Sequence, residues 1–443
     1  MKREDWLWSW IAVVWFAGLA AQAGIQYEEA GNRIWITDYP QVMPCTLERL
    51  LAVDQAFGWN KIRYDESLAT YWIDADVCIG TDDGSETYVQ MGTSNAPPTT
   101  VILNGNLFVC PGRKDEKTGR ICVNRLTLGY PTDTNGSVIL KVASEKGNEH
   151  SVYVGVRPEG KYARSRYNGQ LHMFHSEITA LIQDAEHALG APFGQYHLFL
   201  TGDSIHIKNS TISWVKRCMA FGLVMHLDTR IENTVFAHGR TALSAYKETR
   251  CKNNLVTGCT FRDCETALDS PKTMVVLTGC RFERNQRNWV INNCAELTLI
   301  DCEIKPPLKG NEYGRTDYAK KRGWYPQVVI KRHVVVAVRD EAGQPVVNAV
   351  VTVRERLNGK RMEVATGKDG STGGEDSGRG LLLVERIERV IEGTDQPEVL
   401  NFSYDIHVKE EGFNAGEQSD YRPQANWERV VVTLVKTPRV GRE

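Results

Sequence analysis

The chain has 443 residues, enough for two domains with a sizeable core, and its 53 Lys and Arg against 55 Asp and Glu leave a formal net charge of -2. That balance lacks the basic excess a nucleic-acid partner would want, so no nucleic acid is expected. Residues 1–23 read as a signal peptide: Lys2 and Arg3 precede the apolar run WLWSWIAVVWFAGLA, and Ala21-Gln22-Ala23 fits the small-x-small rule of a cleavage site before Gly24. If retained, the same tryptophan-rich run would serve as an anchor. If cleaved, it leaves no apolar stretch long enough for a stable membrane span. The expected location is therefore secreted, extracellular or periplasmic, or in the cell envelope.

Residues 24–70 form an N-terminal segment. Within it PCTLERLLAVDQAFG has helical apolar spacing at Leu47, Leu50, Leu51 and Val53, with Thr46 as N-cap. This helix is expected to cap an open end of the domain that follows; the other reading is a partner-binding helix.

From residue 71 a pattern recurs. LHMFHSEI (171–178), IHIKNSTI (205–212), TRIENTVF (229–236), LVTGCTF (255–261), VLTGCRF (276–282) and TLIDCEI (298–304) superimpose without gaps. Each is an alternating strand followed by a turn residue, a small residue and a large apolar one. The turn column is His175, Asn209, Asn233, Gly258, Gly279 and Asp301, mostly types that tolerate a left-handed backbone. The small column is Ser176, Ser210, Thr234, Cys259, Cys280 and Cys302, and the closing column is Ile178, Ile212, Phe236, Phe261, Phe282 and Ile304. Successive small positions are 34, 24, 25, 21 and 22 residues apart, which means a stacked solenoid. The pattern resembles the right-handed parallel β-helix, the pectin-lyase-like solenoid, in which each coil adds a rung about 4.8 Å along the axis. Fainter rungs upstream (WIDADVCIG, TYVQMG, TVILNGNLFV, RLTLGY, SVILKV, SVYVGV) carry it over residues 71–305.

Eleven cysteines, an odd number, follow the signal segment. Cys259, Cys280 and Cys302 stand in the inward column and read as a ladder of core thiols. Cys110 and Cys122 flank the charged loop GRKDEKTGR and are the expected disulfide of an exported chain. Pro306-Pro307 ends the repeat, and residues 306–328 read as a polar linker. Residues 329–437 alternate in β period. Asp340-Glu341-Ala342-Gly343-Gln344-Pro345-Val346, Asn348-Ala349 and Thr366-Gly367-Lys368-Asp369-Gly370 resemble the turns of the carboxypeptidase regulatory-like, transthyretin-like β-sandwich. The resemblance implies an accessory module without chemistry; the segments STGGEDSGRG and RIERVIEGTDQPE are longer than its compact form needs. The fold class is thus all-β, a parallel β-helix followed by a small sandwich.

A β-helix fills its core with inward residues, so function falls to outward ones. Lys247 and Lys272 stand 13 residues after Thr234 and Cys259 respectively, which places them side by side if those rungs stack in register. With Asp269 they are the catalytic candidates, and Arg250, Arg287 and Trp289 the substrate-binding ones. Cations suit a uronate carboxylate, and an indole packs on a pyranose face. The family resemblance implies acidic polysaccharides, cleaved by β-elimination with a Lys or Arg base or by hydrolysis between two carboxylates. For hydrolysis the candidates are Asp263 and Asp269 with Asp228 or Glu232. Two outward columns read otherwise. Arg262, Glu283 and Lys305 alternate in charge like a solvated ladder. His172, His206 and Arg230, beside Lys208 and Glu232, read as exposed side chains, with no metal and no cofactor expected. Polygalacturonase-like motifs are missing: Asp82-Asp83 lies far upstream, and His238-Gly239-Arg240 lacks the preceding glycine. The reading is a secreted β-helix protein interacting with carbohydrate, with degradation of an acidic polysaccharide left open. The alternative is a non-catalytic surface, adhesion or structural envelope protein.

Overall fold

The fold is known from a computed structural model, which describes residues 24–437 except 82–85, 93, 95, 115–120, 133, 145–149, 156–157, 159–168, 185–197, 201–203, 222–227, 246–254, 271–273, 294, 375–376, 378, 392–393 and 395–396. The signal-peptide expectation on residues 1–23 lies outside the described residues. The described chain divides into two compact units, one reaching to Val275 and including 281–290 and 304–312, the other comprising 276–280, 291–303 and everything from Tyr313.

The first unit is a right-handed parallel β-helix with three strands to each coil. One coil runs Thr87–Met91, Thr99–Leu103, Leu107–Val109, and the next Asn124–Leu128, Val138–Val142, Val152–Val154. Each strand pairs in parallel with its equivalent one coil later, so three sheets grow side by side. The corner between the first and second strands of each coil is the two-residue turn read from the sequence. His175, Asn209, Asn233, Gly258, Gly279 and Asp301 all have φ between 49° and 63°. The small column is buried throughout, and every member donates to the carbonyl two residues earlier. Ser176 Oγ reaches Phe174 O at 2.7 Å, Ser210 Oγ reaches Lys208 O at 2.7 Å, and Thr234 Oγ1 reaches Glu232 O at 2.9 Å. Cys259, Cys280 and Cys302 place Sγ on the equivalent carbonyls at 3.4, 3.5 and 3.4 Å. Hydroxyl and thiol therefore do one job, giving a second bond to a corner carbonyl; those of Lys208, Glu232, Thr257 and Ile300 also accept from the turn amide of the coil before.

Beneath the corners Phe236, Phe261 and Phe282 stack face to face at 5.2 and 5.1 Å, all at most 1% exposed. Gly258 shows why the turn column changes residue type. Upstream, Asn233 Nδ2 donates to Asn209 Oδ1 at 3.2 Å, and a Cβ on Gly258 would lie 2.3 Å from Asn233 Oδ1.

The N-terminal segment belongs to the solenoid more fully than the 24–70 boundary suggested. Arg33–Ile36 pairs in parallel with Asp76–Ile79, and Cys45–Thr46 with Val89–Gln90. The helix Leu47–Phe57 forms as expected: Thr46 accepts from the Arg49 amide at 3.4 Å, Gly58 closes it at φ 66°, and Leu47, Leu50 and Val53 are buried. Asp54 is buried beside them, where Oδ1 accepts from the Lys61 amide at 2.9 Å. The expected Cys110–Cys122 disulfide is not formed: both are buried thiols. The reason is register, since the hairpin across the charged loop sets Cys122 opposite Arg113.

The 306–328 linker is also structured. The amides of Leu308 and Lys309 continue the ladder to Asn285 and Gln286 at 3.0 and 2.7 Å, so the two prolines do not end it. A strand (Glu312–Gly314) and a short helix (Asp317–Lys321) follow. Within the second unit, the strand Gln327–Asp340 is shared by two structures. Its first residues pair in parallel with the rung Glu296–Ile300, and its later residues pair with Glu428–Leu434 in the β-sandwich. An antiparallel sheet of Arg361–Ala365, Val350–Glu355, Tyr404–Lys409 and Gly416–Tyr421 completes that sandwich around Val336, Val338, Val351, Val353, Ile406 and Val408. The long segment after residue 380 is the hairpin of Leu381–Val390 with Pro397–Asn401, which pairs against the same shared strand. Arg332, 8% exposed, holds the junction: it donates to the Cys302 carbonyl, to Asn426 Oδ1 at 2.5 Å and to Glu385 Oε2 at 2.6 Å. Among the described residues no helix is long and apolar enough to cross a membrane.

Candidate functional site

Of the candidates read from the sequence, Lys247, Arg250 and Lys272 lie outside the described residues. Asp269 is half-buried opposite Ser244 in the third sheet. Trp289 corrects the substrate-platform expectation. It is 1% exposed and meets Phe282 edge-on at 6.2 Å, because its strand turns the indole into the core where the phenylalanine stack ends. Arg287 is also committed elsewhere. It pairs with Glu312 on one side and with Glu265 at 4.0 Å on the other, and Glu265 in turn meets Arg240 at 3.7 Å. A guanidinium between two carboxylates has little charge left for a uronate. The column containing Glu283 is likewise a ladder of ion pairs, with Arg281 at 3.3 Å, Arg284 at 3.7 Å and Lys305 at 3.8 Å around that carboxylate.

A second stacked corner follows the second strand of each coil. Trp214, His238, Asp263 and Arg284 all have φ between 50° and 55°, a backbone region that costs bulky residues energy. Trp214 and His238 stack at 4.7 Å and 13°, and Arg284 grips Asp263 with two bonds of 2.7 Å. The Arg284 bond and charge hold the Asp263 carboxyl below the usual carboxylate range. Asp263 is therefore engaged in an ion pair with Arg284.

The outer face of the first sheet has a different character. Register places Thr127, His172, His206 and Arg230 in one row across four coils, with Arg125, Gln170, Ser204 and Asp228 in the row beside it and Phe174, Lys208 and Glu232 in the row on the other side. The alternation that exposes these residues buries Leu171, Met173, Ile205, Ile207 and Ile231 beneath them. The imidazoles of His172 and His206 lie parallel, 4.7 Å apart and 10° from coplanar. Ser204 Oγ lies 3.3 Å from Nε2 of both. Arg230 is exposed next to His206. On the far side Arg125 donates to Gln170 Oε1 at 2.7 Å while its guanidinium lies 5.0 Å over the Tyr88 ring. Lys208 and Glu232 pair at 3.3 Å.

The outward column His172–His206–Arg230 was legible from spacing, but Ser204 was missed because it stands one residue before the repeated pattern. The signal was present: Ser204 and His206, two apart in a strand, must share a face. Among the described residues no group of three or more His, Cys, Asp and Glu is placed to hold a metal ion.

A family model for the right-handed beta helix region matches residues 196–306, which includes the rungs of Ser204, His206 and Arg230. Comparison with curated proteins and with solved structures gives no match.

Proposed function

We propose that the protein is exported and binds carbohydrate, an acidic polysaccharide, along the outer face of the first sheet. The observation that carries this reading is the register of His172, His206 and Arg230 on successive coils. Such a row offers hydrogen-bond donors and a guanidinium at the coil repeat of about 4.8 Å, a linear arrangement that suits a linear polyanion. Phe174, edge-on to His172 at 6.3 Å, adds apolar surface beside the row. Residues 1–23 would direct export, and the C-terminal sandwich would serve as an accessory module of the carboxypeptidase regulatory-like kind.

The test is affinity for polygalacturonate, alginate and chondroitin sulfate against a neutral glucan. The expected result is preference for an acidic polymer, weaker at high salt, with a loss of at least about tenfold when His206→Ala and Arg230→Ala are combined. Equal affinity for the neutral glucan, or no loss in the double variant, would refute the reading. For export, the mature chain recovered outside the cytoplasm should begin at Gly24.

A further inference from the structure

The Ser204 hydroxyl between two imidazoles is the least expected feature of this face. A hydroxyl has one hydrogen to give, so it satisfies both rings only if they hold opposite tautomers. In that case its O–H donates to one Nε2 and the Nε2–H of the other ring donates to Oγ, across contacts of 3.3 Å each. One half of that arrangement is what an activated serine needs, a base to take the proton, and the other half fixes the hydroxyl in place. The separation of 3.3 Å to each ring is within the looser range of such pairs without substrate. The rings are also held in place. They stack on one another, and they stand on a parallel sheet whose inward residues, Leu171, Met173, Ile205 and Ile207, are at most 1% exposed. Groups fixed to a rigid sheet keep their geometry better than groups on a loop. Ser204 and both histidines are themselves half-exposed, so a substrate lying on the face can reach them.

We propose that Ser204, His172 and His206 form an acyl-transfer centre that removes ester groups from the glycan bound on this face; the glycan part of this inference rests on the function proposed above. Ser204 Oγ adds to the ester carbonyl carbon as its proton passes to the accepting imidazole. The tetrahedral oxyanion forms on the outer face, where register sets Arg230 beside His206 on the next coil. Collapse breaks the bond to the sugar oxygen, which takes the proton from the imidazolium and leaves as a free hydroxyl. Water then repeats the sequence on the acyl-serine, releasing the carboxylic acid and restoring the Ser204 hydroxyl. No oxidant, metal or cofactor enters the balance.

The full chain should be treated with a fluorophosphonate probe and assayed on p-nitrophenyl acetate and on O-acetylated polygalacturonate. The expected label maps to Ser204, and Ser204→Ala and the double variant His172→Ala with His206→Ala each lose at least about 100-fold in hydrolysis. Thermal unfolding of each variant near that of the parent excludes a loss by misfolding, and Ser204→Cys, if folded, should regain a nucleophile that alkylates faster than the buried thiols. An unlabelled parent, or hydrolysis by Ser204→Ala at the parent rate, would overturn the centre. Glycan affinity separates the two ideas. Ser204→Ala that binds polygalacturonate without deacetylating it supports both. A parent that hydrolyses p-nitrophenyl acetate through Ser204 but binds no acidic polymer keeps the centre and removes the glycan reading.

Discussion

The coils before and after residue 250 share one architecture and use it differently. Upstream the small column is Ser176, Ser210 and Thr234, the turn column is His175, Asn209 and Asn233, and the outer face of the first sheet carries imidazoles, a serine and an arginine in register. Downstream the small column is cysteine, the turns at 258 and 279 are glycine, and Leu255, Met274 and Val276 stand exposed on the corresponding strands. There the charges are arranged as compensated ladders around Glu283 and Glu265. The difference teaches where to look for function in a solenoid. The downstream columns are ladders of paired charges, whereas the upstream row sets imidazoles, a hydroxyl and a guanidinium side chain in register on an outer face.

The sharpest way to break the comparison is to remove the downstream core. Phe261→Ala opens the middle of a phenylalanine stack at 0% exposure and should cost about 3 to 5 kcal/mol in chemical denaturation. Stability near that of the parent would mean that the stack does not carry the downstream coils. Next in size is Gly258→Ala. Its φ of 63° and the 2.3 Å approach to Asn233 Oδ1 should make it destabilising by about 1 to 2 kcal/mol. Adding Asn233→Gly, which removes Oδ1 and keeps a residue suited to the left-handed turn, should recover only the steric part, since the strain at 258 stays; full recovery would show that the turn conformation itself is without cost.

Smaller again is the exchange between the two small columns. Because serine and cysteine donate to the same corner carbonyl, Cys280→Ser should be better tolerated than Cys280→Val, by about 1 kcal/mol. The reverse order would make the downstream column a purely apolar ladder. The thiols themselves should be inert in the native state. Burial pushes Cys264 up to about 12, and the bond from Cys280 together with burial holds Cys302 above the ordinary thiol range. Alkylation of Cys259, Cys264, Cys280 and Cys302 should therefore require denaturant.

The smallest expected effect is on acid stability. The folded pKa of Asp263 is depressed by Arg284, so the stabilisation is complete above the unfolded value of about 3.9 and is lost as pH falls through the lower folded value. Thermal melts of Asp263→Asn and the parent should thus converge at strongly acidic pH and differ, slightly, at neutral pH. A difference that persists unchanged in acid would assign it to packing.

Much of this was legible in the sequence because a solenoid writes its register into one-dimensional spacing. The corner at Asn233-Thr234, the inward Phe261 and the cap at Thr46 all follow from local rules that neighbouring coils do not override. Part of what was illegible lies in the third strand of each coil, which carries no comparable repeat. Trp289 was assigned outward because its strand had no column to fix its face, and the strand instead turns the ring onto Phe282. Arg287 was read as a free cation because Glu265 and Glu312 are distant in sequence and adjacent only after coiling. The span of the shared strand Gln327–Asp340 was hidden for another reason: one uninterrupted β pattern serves both the last rung and the sandwich.

The central claim, that the upstream outer face binds ligand while the downstream charge ladders hold the coil, is tested most directly by calorimetric titration of polygalacturonate into two variants. His206→Ala with Arg230→Ala should weaken binding by at least about tenfold with the melting temperature nearly unchanged, and Arg287→Ala should lower the melting temperature while leaving affinity as in the parent. Affinity lost in Arg287→Ala and retained in the upstream double variant would contradict the account.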